Sequence, residues 1–200
     1  MKITFQRTAA EPPQSLAEDL RAIMRSARRH TGNSMLRASL EAVIVALNGA
    51  EVRYLVVGGL AVNAHGYLRS TADVDLLIQL EPQNIVAAFQ ALTPLGYKPL
   101  VPVTAADFAD PAKRNAWITE KEMKVLKLHS DAHRETPIDI FVSDPLGFDD
   151  AARRMQWFPL GDGVPLPVCG YADLVALKLQ ASRPKDLLDL QNLKRIRGEP

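Results

Sequence analysis

Among 200 residues there is a single cysteine, Cys169, so the chain can form neither an internal disulfide nor a thiolate-based zinc cluster. A reducing, cytoplasmic setting is expected. Histidines number four and are scattered, which leaves no ligand set for zinc or haem. No run approaches the roughly 18–20 apolar residues that a membrane span requires. The start, Met1 to Phe5, is followed by no long apolar stretch, and no secretory leader is expected. Aromatic residues make up only 6% of the chain, and Trp117 and Trp157 read as packing residues rather than a base-stacking platform. The net charge of +1 gives no case for a protein that coats nucleic acid. Internal repeats and low-complexity tracts are absent.

What remains is ordinary globular material, with 47% apolar and 24% charged residues. The charge is uneven. Lys2, Arg7, Arg21, Arg25, Arg28, Arg29 and Arg37 face only three acids within residues 1–37, and acids gather between 131 and 150. Basic flanks around an acidic middle would suit a metal-bound polyphosphate, though solvated helix faces look the same.

Hydrophobic spacing predicts helices from Ser15 and over Met35 to Leu47, with a break at Thr31-Gly32-Asn33. The period then shortens. Tyr54-Leu55-Val56-Val57 reads as a buried strand that stops at Gly58-Gly59, with a short helix over Leu60 to Ala64. Val74 to Leu80 is the next strand and Ile85 to Leu95 an amphipathic helix closed by Gly96. Residues 98–120 are mixed, with a helical turn near Ala105–Phe108. Met123 to His129 and Ile138 to Val142 read as a hairpin, with His129 and His133 exposed at its turn. Asp149 to Met155 reads as a short helix, Val164 to Val168 as a strand, and Tyr171 to Ile196 as two helices broken at Arg183-Pro184. The organisation expected is an N-terminal helical segment (1–49) packed on a core (50–168), with C-terminal helices (169–200) completing a site.

The chemistry centres on Asp73-Val74-Asp75. On a strand, residues i and i+2 share a face, about 6–7 Å apart along the backbone. Val74, Leu76, Leu77 and Ile78 mark the strand as buried, where paired carboxylates repel strongly. A divalent cation relieves that repulsion, and Mg²⁺ favours one or two carboxylates together with substrate phosphates. The same tripeptide could instead cap a loop or pair with Arg69. Gly58-Gly59 supplies the context: glycines admit close approach of a ligand, and helix N-terminal amides favour phosphate. Thirteen residues separate Gly59 from Asp73, enough for one short helix leading to the neighbouring strand. Asp139, within Pro137-Ile138-Asp139-Ile140-Phe141-Val142, is a costly charge in an apolar strand and a candidate third carboxylate and general base. Arg69 could reach a phosphate or pair with Asp73 when metal is absent.

Val57-Gly58-Gly59, Asp73-Val74-Asp75-Leu76 and Ile138-Asp139-Ile140, in that order, resemble the polymerase-beta-type nucleotidyltransferase superfamily across about residues 50–145. The run Asp173-Leu174-Val175-Ala176-Leu177-Lys178, with Arg183, Lys185, Asp186 and Asp189, resembles the helical motif of abortive-infection E-type toxins and other minimal nucleotidyltransferases. The resemblance implies an α/β fold with a mixed, mostly antiparallel sheet, flanking helices and a C-terminal helical segment. It implies that Gly58 and Gly59 cradle a triphosphate, that Asp73, Asp75 and Asp139 hold Mg²⁺ or Mn²⁺, and that Lys178, oriented by Asp186, faces the nucleotide. By the same resemblance the partners are an NTP, an acceptor (RNA, protein or small molecule) and a cognate antitoxin. Basic N-terminal helices could face RNA. Two departures stand out. Gly59 occupies a position where many catalytic members carry Ser, and no large acceptor-recognition domain follows. A non-catalytic nucleotide-binding or protein-partnering module is the alternative.

Overall fold

Short apolar runs set between glycine and proline breaks become the strands of one sheet, and the longer periodic segments become the helices that cover it. The computed structural model describes residues 31–71, 73–161 and 163–199, with side chains from residue 37 onward. The expected helix from Ser15 and the basic side chains up to Arg29 lie outside the described residues.

The strands are β1 (Tyr54–Val56), β2 (Val74–Ile78), β3 (Lys98–Pro99), β4 (Val125–His129), β5 (Ile138–Phe141), β6 (Gln156–Leu160) and β7 (Val164–Val168). They form a seven-stranded sheet in the order β3-β4-β5-β2-β1-β7-β6. β1 runs parallel to β7 and β2 parallel to β5, while the other four neighbour pairs are antiparallel. A mixed, mostly antiparallel sheet was the expectation, and it is what forms.

The helices are α1 (Thr31–Gly49), α2 (Gly58–Ala64), α3 (Pro82–Leu92), α4 (Ala105–Ala109), α5 (Pro111–Lys121), α6 (Phe148–Arg154), α7 (Tyr171–Ala181) and α8 (Pro184–Arg197). Leu40, Val43, Ile44 and Leu47 fall on one stripe of α1 and are buried against the core. The end of α1 is tied down by Asn48, whose Nδ2 donates to the Pro165 carbonyl at 2.9 Å and whose Oδ1 accepts from the Tyr54 hydroxyl at 2.8 Å. Ile85, Ala88 and Leu92 bury the inner face of α3, and a 3₁₀ turn (Thr93–Leu95) ends it at Gly96. Pro184 starts α8 two residues after the left-handed Ser182, so the expected break between the C-terminal helices falls at Arg183-Pro184.

Four features differ from the sequence expectation. Thr31 to Asn33 lie inside α1 rather than breaking it. α5 occupies a stretch that lacked an apolar stripe, because Arg114 is its one fully buried residue. Its start is set locally instead: Asp110 caps it by accepting from the amides of Ala112 at 2.8 Å and Lys113 at 3.4 Å, with Pro111 at the first position. β6 was hidden by Pro159. Proline is tolerated there because β6 is the edge strand. His133 is half-buried, not exposed: it stacks on Tyr97 with centroids 5.9 Å apart and shares a hydrogen bond with Ser39 Oγ at 2.9 Å.

Candidate active site

β2 and β5 run parallel in a register that pairs Val74 with Ile138, Asp75 with Asp139 and Leu76 with Ile140. The Val74 amide donates to the Pro137 carbonyl at 2.9 Å, and the Val57 amide to the Asp75 carbonyl at 3.0 Å. Apolar residues are buried on both faces of these strands, and a one-residue slip would exchange the faces and take Asp75 off Asp139. Asp75 and Asp139 are therefore neighbours across strands, and Asp73, just before β2, lies near enough for its charge to act on Asp75. One further strand away, Lys127 of β4 lies opposite Asp139.

Asp75 bears the strain of this arrangement. Burial pushes its carboxyl above the ordinary carboxylate range, and the charges of Asp139 and Asp73 push the same way. A hydrogen bond from the Gly59 amide and the charge of Lys178 offset part of that shift. Gly58 packs directly on this carboxylate. Its φ is +61°, and a Cβ there would sit 2.5 Å from Asp75 Cγ and closer still to Oδ2. A Cβ on Gly59 would sit 2.8 Å from Thr71 Cβ. The glycines thus close a turn that leaves room for nothing but hydrogen.

Lys127 escaped the sequence reading. Its Nζ donates to both oxygens of Asp139, at 3.0 and 2.9 Å, and it also feels Asp73 and Asp75, so its pKa is held above the ordinary lysine value. The signal was a single charge in Val125-Leu126-Lys127-Leu128-His129, which means something only once the hairpin register is known. Among the described residues, no three carboxylates, imidazoles or thiolates surround one point as a ready-made metal cage. Asp73, Asp75 and Asp139 instead offer hard oxygen donors along one face, which suits a cation completed by phosphate oxygens.

Beyond Asp75 lies a buried ionic network joining the C-terminal helices to the loop before β2. Lys178, only 4% exposed, donates to Asp186 Oδ1 and Asp189 Oδ2, each at 2.7 Å. Arg183 adds a bond from Nε to Asp186 Oδ2 at 2.6 Å. Arg69 grips Asp189 in a fork, Nε to Oδ1 at 2.7 Å and Nη2 to Oδ2 at 2.9 Å. Three cations thus serve two carboxylates. Burial alone would raise Asp186, but Arg183 and Lys178 hold its carboxyl down at about 2. The Lys178 ammonium is buried rather than reaching to solvent along the helix. Of the two roles open to Arg69, a phosphate contact or a pair with Asp73, the second does not form, and Arg69 pairs with Asp189 instead. The Asn63 side chain holds the Arg69 backbone through bonds of 3.0 and 2.9 Å, and the guanidinium reaches Asp189 of α8.

His65 belongs to the scaffold. Its Nε2 donates to the Cys169 carbonyl at 2.9 Å, its ring meets Phe158 and Tyr171 edge-on, and burial lowers its pKa. The Cys169 thiol is buried, which pushes it up to about 12 and leaves it inert.

No family model matches the chain, and neither does any curated protein. Solved structures do. The antibiotic-resistance factor ANT(2'')-Ia superimposes with a TM-score of 0.52 at 10% identity, over 80% of this chain and 82% of that one. The lincosamide antibiotic adenylyltransferase LnuA, with lincomycin bound, gives a TM-score of 0.52 at 16% identity over 78% and 95% of the two chains. At such identities the likeness speaks for architecture alone. The chain has the nucleotidyltransferase fold.

Proposed function

We propose that the chain transfers a nucleoside monophosphate from an NTP to an acceptor hydroxyl. The acceptor oxygen forms a bond to the α-phosphorus, the bond from that phosphorus to the α,β-bridging oxygen breaks, and pyrophosphate leaves. The observation that carries this reading is the in-register pair Asp75 and Asp139 beside the Gly58 turn, with Asp73 near enough for its charge to act on Asp75. Clustered, partly desolvated carboxylates are unfavourable in a protein that has no cation to place there.

Asp73, Asp75 and Asp139 would hold Mg²⁺ or Mn²⁺, which when bound supplies neutralising charge at the transferred phosphoryl group. Asp139 takes the proton of the acceptor hydroxyl. The Gly59 amide already donates to an anionic oxygen, that of Asp75. With Gly58 it would cradle the triphosphate only by turning from Asp75 to the phosphate, and that role would need no serine hydroxyl. Lys178 and Arg69, fixed by Asp186 and Asp189, set positive potential at the nucleotide side, and the side chain of Arg183, 59% exposed, extends it outward.

For the acceptor, a small-molecule hydroxyl is favoured over RNA or protein. The support is the superposition on an adenylyltransferase that holds lincomycin. A role beside a cognate antitoxin rests on the C-terminal motif resemblance alone. Among the described residues no helix is long and apolar enough to cross a membrane.

The test is calorimetric titration with a non-hydrolysable NTP, with and without Mg²⁺, followed by pyrophosphate assays over a panel of hydroxyl acceptors. Metal-dependent binding with turnover supports transfer. Metal-dependent binding with no pyrophosphate from any acceptor supports the non-catalytic nucleotide-binding module instead.

A further inference from the structure

The carboxylate row already contains a cation. Reading across the sheet at one level, Lys127 of β4 faces Asp139 of β5, which faces Asp75 of β2. Asp139 is buried, and both of its oxygens accept from the Lys127 ammonium. Lys127 itself is not locked in: its side chain is 51% exposed, against 10% for Asp139. The strand fixes where the lysine stem begins, while the long stem leaves the ammonium free to turn out to solvent. Among the described residues Lys127 is the cation bonded to Asp139, whereas Lys178 is committed to Asp186 and Asp189 and Arg69 to Asp189.

An ammonium and a divalent cation compete for the same oxygens. Both oxygens of Asp139 are engaged by Lys127, so a metal that uses Asp139 has to take at least one of them. Moving the ammonium aside also removes a like charge from the metal's surroundings.

We propose that Lys127 is a resident counter-cation of the site: it occupies Asp139 in the metal-free protein and must yield that carboxylate when a divalent ion binds. The inference rests on the metal reading given under the proposed function. Lys127 is then a positioning residue. It stabilises the carboxylate row between turnovers and lowers the affinity of the site for free metal, so that a metal arriving with its nucleotide, whose phosphates complete the coordination, is favoured over metal alone.

The experiment measures Mn²⁺ affinity by electron paramagnetic resonance, without nucleotide, for the full chain and for Lys127→Met, Lys127→Gln and Lys127→Arg. Thermal melts with and without Mn²⁺ accompany it. Lys127→Met is expected to bind Mn²⁺ on the order of ten-fold more tightly, because one competing charge is gone. It should melt lower than the native chain without metal and recover that loss when Mn²⁺ is added. Lys127→Gln repeats the test should Met fold poorly at the half-exposed position, and Lys127→Arg should stay near the native affinity. In the Asp139→Asn background, Lys127→Met should give much less tightening. Native-like or weaker Mn²⁺ binding by both Lys127→Met and Lys127→Gln overturns the inference while leaving the metal reading intact. Failure of the native chain and of every Lys127 variant to bind Mn²⁺ overturns both.

Discussion

Replacing Gly58 by alanine tests the close approach on which the site depends. The substitution does two things. It forces a Cβ onto a backbone with φ of +61°, which for a non-glycine residue costs roughly 1–2 kcal/mol. It also drives that Cβ to 2.5 Å from Asp75 Cγ, so Asp75 must leave its rotamer or the turn must open. Overpacking of this kind adds roughly 1–3 kcal/mol. A total of about 3 kcal/mol lowers the melting temperature by roughly 6–12 °C for a chain of this size. Gly198→Ala is the matched control, since its φ is +68° and nothing lies within 4 Å of the added Cβ. It should lose only the backbone share, roughly 2–8 °C and less than Gly58→Ala. Calorimetric melts of the two variants give the difference, and Mn²⁺ titration reports the displaced carboxylate as a loss of at least about ten-fold in affinity for Gly58→Ala. If Gly58→Ala melts with Gly198→Ala and binds Mn²⁺ like the native chain, the contact between the turn and Asp75 is not what shapes the site.

Three other outcomes follow from the electrostatics. Asp75→Asn keeps an acceptor for the Gly59 amide and removes a buried charge pressed by Asp139 and Asp73. The metal-free variant should therefore be more stable by about 1 kcal/mol while losing activity, as strained functional groups do; a lower melting temperature than native contradicts this. Lys178→Met strands Asp186 and Asp189, and urea denaturation should show a loss of about 3 kcal/mol, toward the low end for broken buried pairs because Arg183 and Arg69 remain. A loss under about 1 kcal/mol would mean the network is solvated. The Asp186 carboxyl is held below its ordinary 3.8, at about 2, so its stabilisation is fully present above pH 3.8 and disappears as pH falls through about 2. The stability gap between native and Asp186→Asn should thus shrink by about 2 kcal/mol between pH 5 and pH 2. A gap independent of pH in that range refutes the assignment.

The parts of this molecule that follow from local rules were legible in its sequence. Apolar runs ending at Gly58-Gly59 and beginning at Val74 mark strands whatever surrounds them, and Pro184 starts a helix by its own geometry. The hairpin of β4 and β5 could be read from two apolar runs about a polar turn. What escaped depends on long-range placement. α5 has no apolar stripe to announce it, and β6 carries a proline that its position at the sheet edge accommodates. In the site, Asp73, Asp75 and Asp139 stood out because buried carboxylates need a reason. Lys127 did not stand out, since an isolated lysine in a strand is ordinary until its cross-strand neighbour is known. Asp73, close in sequence, is one of the partners open to Arg69 on local grounds, whereas its actual partner Asp189 lies 120 residues away. Ion pairs across such separations follow from the tertiary fold, not from local spacing.

The most direct test of nucleotidyl transfer incubates the native chain with Mg²⁺, hydroxyl acceptors and each NTP labelled in turn at the α- or γ-phosphate. The comparison protein is the double variant Asp73→Asn with Asp75→Asn. The α-label should pass to an acceptor and the γ-label should leave as pyrophosphate, in the native chain only and only with metal. Equal α-labelling by the double variant, or transfer of the γ-label to the acceptor, would contradict the account.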